Sequence, residues 1–217
     1  PLRLRDYRVV AFDMDSTLIS IECIDELATL AGRGEEVAAI TELAMRGEIS
    51  DYAESLRRRL NLLRGTPQAA LERVWAERLQ LNPGAEALIR AFQAAGLKVL
   101  LVSGGFSFFT ERLKSRLGLD RALANELAIE NGCLTGEVVG EIVDAEAKAR
   151  TLLALCHDVG CSAQQAIAIG DGANDLPMMR AAGLSVAFQA KPRVRAEAQV
   201  AIDEGGLDRL LELFEAG

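Results

Sequence analysis

The feature of this sequence that most constrains its fold is a set of short apolar runs, three of which end directly at aspartate, serine or glycine. The runs predict strands at 8–12, 98–102, 166–169 and 185–188, with 200–202 as a fifth candidate. Runs that are apolar almost throughout, and not at every second position, are typical of strands buried on both faces of a parallel sheet. Helical segments alternate with them, so we expect an α/β fold, doubly wound around a mainly parallel sheet.

A long stretch after the first strand carries no strand signal. Residues 22–81 predict helices only, at 23–30, 35–46, 51–63 and 67–79. This stretch is too long for a simple crossover between parallel strands, so it predicts an inserted subdomain. We therefore expect an α/β core built from residues 1–21 and 82–217, with a small helical cap at 22–81.

Asparagine and glycine give local signals in the predicted core. Asn82 is the expected N-cap of a helix that ends near Gly96, and Gly160 and Gly183 are the expected stops of helices that begin near Asp144 and Asn174. Asn131-Gly132 lies between two extended segments, which is the strongest short signal for a β-hairpin.

The composition excludes several classes of function. Half of the 217 residues are apolar, and 24 basic against 32 acidic side chains give a net charge of −8. Such a chain is not expected to bind nucleic acid, and no apolar run approaches the ~20 residues of a membrane span. Four cysteines without a C-x-x-C pair, and no export signal, predict reduced thiols and a cytoplasmic location. Since His157 is the single histidine, neither a structural zinc site nor a histidine-based triad is expected.

Polar residues follow three of the predicted strands at the points where the strands end. They are Asp13 and Asp15 after the first run, Ser103 and Gly104 after the second, and Asp171, Asn174 and Asp175 after the third. In open α/β sheets, ligands bind outside the carboxyl ends of the strands. We therefore expect these groups to converge on one crevice, which is the candidate active site.

Asp13 and Asp15 are separated by one residue, so in an extended chain both carboxylates point to the same side. Crowded carboxylates repel each other unless a cation lies between them or one of them stays protonated. A divalent metal is the simpler solution, with Asp171 as a third oxygen ligand from another strand. Oxygen ligands without histidine or thiolate favour Mg²⁺ over zinc. For each aspartate taken alone, capping of a helix is the alternative role.

Four motifs in a fixed order resemble those of a known family. Asp13-Met-Asp15-Ser16-Thr17 matches the pattern D-x-D-x-T, and Ser103 with its two following glycines is similar to a second motif. Lys148 is similar to the third motif and Gly170–Asp175 to the fourth. The ordered set resembles the haloacid dehalogenase-like phosphohydrolase superfamily. That resemblance implies a Rossmann-like core whose helical cap is inserted after the first strand.

The resemblance also implies a phosphatase that uses covalent catalysis. Asp13 is then the nucleophile, which attacks phosphorus and forms an aspartyl-phosphate. Asp15 is the general acid for the leaving oxygen and afterwards the general base for the hydrolytic water. Mg²⁺ is the implied cofactor, held by Asp13, Asp171 and the backbone carbonyl of Asp15.

The phosphoryl oxygens have implied partners of their own. Lys148 and the Ser103 hydroxyl, with backbone N–H groups near Gly104, are expected to hold them in the transition state. Asn174 is expected to contact the substrate, and Asp175 to orient metal-bound water or Lys148. Apart from the resemblance, Lys148 looks like an ordinary solvated residue at the start of a helix.

Two residues of the predicted cap resemble substrate-binding positions in the members of the superfamily that hydrolyse phosphoserine. Glu22 resembles their partner for the ammonium, and Arg59 their partner for the carboxylate, to which a guanidinium can donate two parallel hydrogen bonds. Met45 and Tyr52 are candidate lining residues of the same pocket. The resemblance thus implies hydrolysis of O-phosphoserine, the last step of serine biosynthesis. Taken alone, Glu22 and Arg59 are more typical of a solvated helix start and a charged helix face.

Two other functions remain open from the sequence. A phosphatase or phosphotransferase for another small metabolite phosphate would share the motifs, but it would not need both Glu22 and Arg59. A phospho-accepting regulatory module would keep its aspartyl-phosphate, which a general base at Asp15 would hydrolyse. We expect a small phosphomonoester as substrate, neither nucleic acid nor membrane as a partner, and a monomer or homodimer.

Overall fold

The computed structural model describes residues 2–46 and 48–215, and its central element is a seven-stranded sheet. The strands are β1 (Val9–Phe12), β2 (Lys98–Phe106), β3 (Arg121–Glu130), β4 (Cys133–Val139), β5 (Ala166–Gly170), β6 (Leu184–Phe188) and β7 (Val200–Ile202). Their order across the sheet is β4-β3-β2-β1-β5-β6-β7. Each neighbouring pair is parallel except β3 and β4, which are antiparallel. The predicted mainly parallel sheet is confirmed.

Helices fill the connections between the strands. Those that follow β1 are α1 (Cys23–Leu30), α2 (Gly34–Met45), α3 (Tyr52–Asn61) and α4 (Ala69–Arg73), the last continued by a wider turn at Val74–Arg78. Those of the core are α5 (Ala85–Ala94), α6 (Ser107–Leu117), α7 (Ala145–Val159), α8 (Leu176–Ala181) and α9 (Pro192–Glu197). The helical insertion after the first strand is therefore present, while the boundaries of a cap at 22–81 stay a prediction. No helix in the described part of the chain is both long and apolar enough to cross a membrane.

The two faces of the sheet are covered by different helices, which makes the fold doubly wound. Side chains alternate along β1, so that Val10 and Phe12 pack on one face and Val9 and Ala11 on the other. Helices α5 and α6 cover the first face, and α7 and α8 cover the second. Every residue of β1 is buried, which explains why its sequence is apolar throughout.

The order of the strands fixes the position of the crevice. Strand β1 pairs with β2 on one side and with β5 on the other, so the chain winds outward from β1 in both directions. In such a sheet, the carboxyl ends of the two strands at the reversal point form an open crevice. Asp13 directly follows β1 and Asp171 directly follows β5, so both residues lie at this crevice.

Asn82 has a different role from the one predicted. The N-cap position of α5 is occupied by Gly84, with a φ of 76°, and no side chain caps this end. The side-chain amide of Asn82 instead donates to the carbonyls of Thr17 and Ile19, at 2.8 and 3.0 Å. Asn82 thus links two segments of the chain, the one that returns from the helical insertion and the one that follows β1. Hydrogen bonds of the Asn82 side chain to distant carbonyls therefore replace the predicted capping of α5.

The hairpin prediction is confirmed, and the helix stop predicted at Gly183 is wrong. Asn131 and Gly132 both have positive φ, 50° and 76°, as a two-residue turn between β3 and β4 requires. Helix α8 ends at Ala181 with Ala182 in an extended conformation, so no left-handed residue closes it. A Cβ atom at Gly183 would lie 1.9 Å from the Gln164 carbonyl oxygen. Close approach of two backbone segments, not helix termination, therefore accounts for this glycine.

Candidate active site

The structure brings the polar ends of three strands together with the first turn of a helix. Asp13 follows β1, Ser103 lies near the end of β2, and Asp171 follows β5. Lys148 lies in the first turn of α7, whose N-terminal residue Ala145 is preceded by the capping carboxylate of Asp144. Helix α7 leads into β5, and a helix that leads into a strand of the sheet runs antiparallel to that strand, so the first turn of α7 lies at the edge where β5 ends, which is the crevice.

Lys148 connects two of the predicted aspartates. Its Nζ atom is 2.8 Å from Asp13 Oδ1 and 2.8 Å from Asp175 Oδ1. The lysine side chain is 0% exposed, and both of its partners are buried. Burial by itself lowers the pKa of Lys148, but the carboxylates of Asp13 and Asp175 outweigh it and raise this pKa. The lysine is therefore a permanent cation next to Asp13.

Asp13, Asp171 and Asp175 form a buried cluster of carboxylates. One oxygen atom from each lies within 4.8 Å of the others, a spacing that could hold a metal ion. Burial and the Asp175 carboxylate raise the pKa of Asp13 well above its usual value, and Lys148 opposes this shift. Three buried acids with oxygen donors only are a donor set that fits a hard divalent cation. Asp175 is a candidate donor that the sequence did not predict, because it was expected to orient metal-bound water or Lys148.

Asp15 is not a member of this cluster, and its Oδ2 atom lies beside Gly105, 2.7 Å from where a Cβ atom would be. Its Oδ1 atom accepts a hydrogen bond from the backbone N–H of Cys23, the first residue of α1, at 3.0 Å. Burial raises the pKa of Asp15 to about 6, although the hydrogen bond from Cys23 lowers it. A carboxyl group with this pKa can donate and accept protons near neutral pH. Ser16 follows with a φ of 57°, which turns the chain sharply out of the crevice.

The backbone at the end of β2 is held in one orientation. The N–H of Gly105 donates to Ser103 Oγ at 2.8 Å, so the hydroxyl proton of Ser103 remains available to another acceptor. The carbonyl of Gly104 accepts from the Tyr52 hydroxyl at 3.1 Å and from the Asn125 side-chain amide at 2.8 Å. A Cβ atom at Gly104 would lie 2.1 Å from the Tyr52 oxygen. A side chain at position 104 would therefore displace the Tyr52 ring from its contact with this strand.

The candidate substrate-binding residues are less completely placed than the acids. Glu22 accepts a hydrogen bond from the Ser16 hydroxyl at 2.7 Å, and burial followed by the Asp15 charge raises its pKa to about 8. The Arg59 Nε atom donates to the Ser55 carbonyl of its own helix at 3.3 Å. Asn174 is half-buried beside Gly172. The side chain of Met45 lies outside the described part of the structure.

The sequence analysis assigned no role to three polar residues of the site, although one of them, Thr17, belongs to the first motif. Thr17, which is fully buried, donates to Asp171 Oδ1 at 3.1 Å, and the ammonium of Lys191 contacts Asp171 Oδ2. Asn125 is buried, donates to Gly104 and accepts from the Val143 N–H at 2.8 Å. Lys191 follows β6, so its position after a predicted strand was a usable signal. Nothing local in the sequence indicates the contact made by Asn125.

These features define a hydrolase with a doubly wound core and an acidic crevice, and comparison with known families agrees. The family model for haloacid dehalogenase-like hydrolases matches residues 10–180, and the chain belongs to this family. A phosphoserine phosphatase of Polaromonas sp. is 61% identical over 218 residues, which cover 99% of this chain and 92% of that protein. A phosphoserine phosphatase of Haemophilus influenzae is 49% identical over 214 residues, which cover 99% of this chain and 68% of that protein.

Solved structures give the same result. A structure described as a substrate-bound phosphoserine phosphatase complex superposes with a TM-score of 0.90 at 38% identity, over 96% of this chain and 99% of that one. A phospho-aspartyl intermediate analogue of phosphoserine phosphatase superposes with a TM-score of 0.87, also at 38% identity, over 96% of this chain and 99% of that one. The resemblance inferred from the four motifs is confirmed.

Proposed function

We propose that this chain is a Mg²⁺-dependent phosphatase that hydrolyses O-phosphoserine to serine and phosphate through an aspartyl-phosphate. The observation that carries the proposal is the buried Asp13 carboxylate, held by Lys148 at 2.8 Å beside Asp171 and Asp175. The likeness to phosphoserine phosphatases over 99% of the chain supports the choice of substrate. The product would be free serine, so the reaction fits the last step of serine biosynthesis.

Asp13 is the nucleophile of the first step. One of its carboxylate oxygens forms a bond to phosphorus while the bond from phosphorus to the serine oxygen breaks. Asp15 donates its proton to that departing oxygen, for which its pKa of about 6 is suited. The negative charge of Asp13 approaches a phosphate dianion, so nearby cations are needed. Lys148 supplies one of them at 2.8 Å from Asp13.

Asp13, Asp171 and the backbone carbonyl of Asp15 would hold the metal ion. When bound, Mg²⁺ offsets the repulsion between the nucleophile and the phosphate and neutralises charge on the phosphoryl oxygens. Lys148, the Ser103 hydroxyl and the N–H of Gly104 bind those oxygens. The Ser103 proton is free for this purpose because its oxygen is oriented by the Gly105 N–H at 2.8 Å.

The second step reverses the role of Asp15. Having lost its proton, the carboxylate accepts one from a water molecule, whose oxygen attacks the phosphorus and releases phosphate from Asp13. Asp175 keeps Lys148 in place from behind, with Oδ1 on the ammonium and Oδ2 on the backbone N–H groups of Asp171 and Gly172. It thus fixes both the lysine and the loop that carries a metal ligand.

Substrate choice rests with the residues of the helical insertion. Glu22 pairs with the ammonium of phosphoserine and Arg59 with its carboxylate, while Asn174 contacts the substrate from the core. The raised pKa of Glu22, about 8, is the result of burial beside Asp15, and a substrate ammonium would stabilise the charged form of Glu22. The predicted cytoplasmic location and the monomeric or dimeric state belong to the proposal as predictions.

A substrate panel tests the proposal directly. Phosphate release is measured from L-phosphoserine, phosphoethanolamine, glycerol phosphate and an aryl phosphate, each with Mg²⁺ and with a chelator. We expect Mg²⁺-dependent turnover with kcat/KM highest for phosphoserine, and no turnover by Asp13→Asn. An equal kcat/KM for all four esters would contradict the assigned substrate. Transfer of phosphate to an added alcohol in place of water would favour a phosphotransferase.

A further inference from the structure

Lys191 is a cation at the crevice that the mechanism does not use. It lies between β6 and α9, at the same edge of the sheet as Asp171. Its backbone N–H donates to the Asp171 carbonyl at 3.0 Å, and its ammonium contacts Asp171 Oδ2. Lys191 is therefore bound to Asp171 twice, once through the main chain and once through the side chain.

The distribution of charge around the crevice explains this contact. Lys148 is already shared between Asp13 and Asp175, at 2.8 Å from each. Within the described residues, the other side-chain donor to the Asp171 carboxylate is the neutral Thr17 hydroxyl. The Lys191 ammonium contacts the other oxygen, Oδ2, and is therefore the counterion of Asp171.

Lys191 differs from Lys148 in its freedom to move. The Lys191 side chain is 53% exposed, whereas that of its partner Asp171 is 4% exposed. Lys148 is enclosed on all sides, with a side chain that is 0% exposed. A half-exposed ammonium on a flexible four-carbon stem can withdraw into water with little loss, and an enclosed one cannot. The contact with Asp171 can therefore be exchanged for another cation.

We propose that Lys191 is a resident counterion of Asp171 that competes with the divalent metal for the Asp171 carboxylate. The inference rests on the proposed function, in which Asp171 is a metal ligand. An ammonium and a dication repel each other at one carboxylate, so metal binding displaces the lysine. Removal of the Lys191 charge thus strengthens metal binding. It also leaves Asp171 without a counterion in the metal-free protein.

Calorimetric titration with Mg²⁺ tests this inference without measuring activity. Lys191→Met keeps the length of the side chain and removes its charge. Half-exposed ion pairs are weak, so we expect the Mg²⁺ Kd to fall about two- to fivefold. Thermal unfolding in chelator and in saturating Mg²⁺ gives a second measurement. The variant should have a lower Tm than the wild type in chelator and a larger rise in Tm on addition of Mg²⁺.

Two further variants serve as controls. Lys191→Arg keeps the charge and should leave the Kd close to that of the wild type. Lys98→Met removes a lysine that is also 53% exposed and paired with an aspartate, Asp120, away from the crevice, so it should not change the Kd. An unchanged or weaker Mg²⁺ affinity of Lys191→Met would overturn the inference, and a weaker one would mean that Lys191 orients Asp171 for the metal. If the wild type binds no Mg²⁺, the metal dependence of the proposed function fails as well.

Discussion

The Lys148→Met substitution removes the cation between Asp13 and Asp175 while keeping most of the side-chain volume. Two charge-assisted hydrogen bonds of 2.8 Å are lost, each contributing about 1.5–3 kcal/mol. Both carboxylates stay buried without their partner, and removing one partner of a buried ion pair costs about 3–5 kcal/mol. The two estimates agree, and each is a large part of the ~5–15 kcal/mol by which most proteins are stable.

Urea unfolding in chelator measures this loss. With a slope of about 2–3 kcal/mol per molar urea, the midpoint should fall by roughly 1–2.5 M. The loss should shrink in Mg²⁺, because a dication held by Asp13 would neutralise one of the two carboxylates. Asp175→Asn in the Lys148→Met background should recover part of the stability without recovering turnover, since one uncompensated charge is removed. Lys98→Met, at an exposed pair, should lower the free energy of unfolding by less than about 1 kcal/mol. A Lys148→Met protein as stable as the wild type would refute the argument.

The other predictions concern the acids and the substrate. Asp13→Asn should abolish phosphate release while the circular dichroism spectrum stays that of the folded protein; residual turnover by a pure sample would contradict its assignment as nucleophile. Asp15→Asn should accumulate aspartyl-phosphate from an aryl phosphate, whose leaving group needs no proton, and wild-type rates on phosphoserine would exclude an acid–base role. Arg59→Ala should lower kcat/KM for phosphoserine roughly 10- to 150-fold, the equivalent of about 1.5–3 kcal/mol, and leave phosphoethanolamine nearly unchanged. Glu22→Gln should instead impair both substrates that carry an ammonium and spare the aryl phosphate; equal losses on all three substrates would mean that both residues act through the fold. The pKa of Glu22 in the folded protein, about 8, is higher than its value in the unfolded chain. Glu22 therefore lowers the stability of the metal-free protein as the pH rises from about 4.5 to 8. Glu22→Gln should flatten the dependence of the free energy of unfolding on pH over this range.

The strands and most helices were predictable because their signals are local. A short apolar run that ends at a glycine, such as 166–169, is typical of a strand in a sheet covered on both faces, and the structure has β5 there. Gly160 was expected to stop a helix and does so with a φ of 77°. The errors at Asn82 and Gly183 have a common cause. Asparagine and glycine are both suited to helix ends. Here, however, the Asn82 amide donates to Thr17 and the missing side chain of Gly183 makes room for Gln164, and both partners are distant in sequence.

The acids of the site were predictable because they directly follow strands, whereas their partners were not. Asp13 and Lys148 are 135 residues apart, and no spacing rule connects them. Lys148 lies between Ala147 and Ala149 in a segment that resembles any solvated helix start, yet it is fully buried. Only the resemblance to a family identified it. The direction of the Asp15 side chain was also unavailable, since it depends on the turn at Ser16 and on the N–H of Cys23.

Topology nevertheless supplies a rule by which such partners can be found. In a parallel sheet, the carboxyl end of each strand and the first turn of each helix that leads into a strand meet at one edge. Lys148 is in the first turn of α7, and Lys191 lies between β6 and α9, so both satisfy this rule although neither follows an acidic motif. A cation in either position faces the crevice if the neighbouring strand ends carry carboxylates. The rule therefore separates Lys148 and Lys191 from Lys98, which lies at the opposite, amino-terminal end of β2 and pairs with Asp120. Lysines of equal exposure can thus differ in function because of the strand end at which they lie.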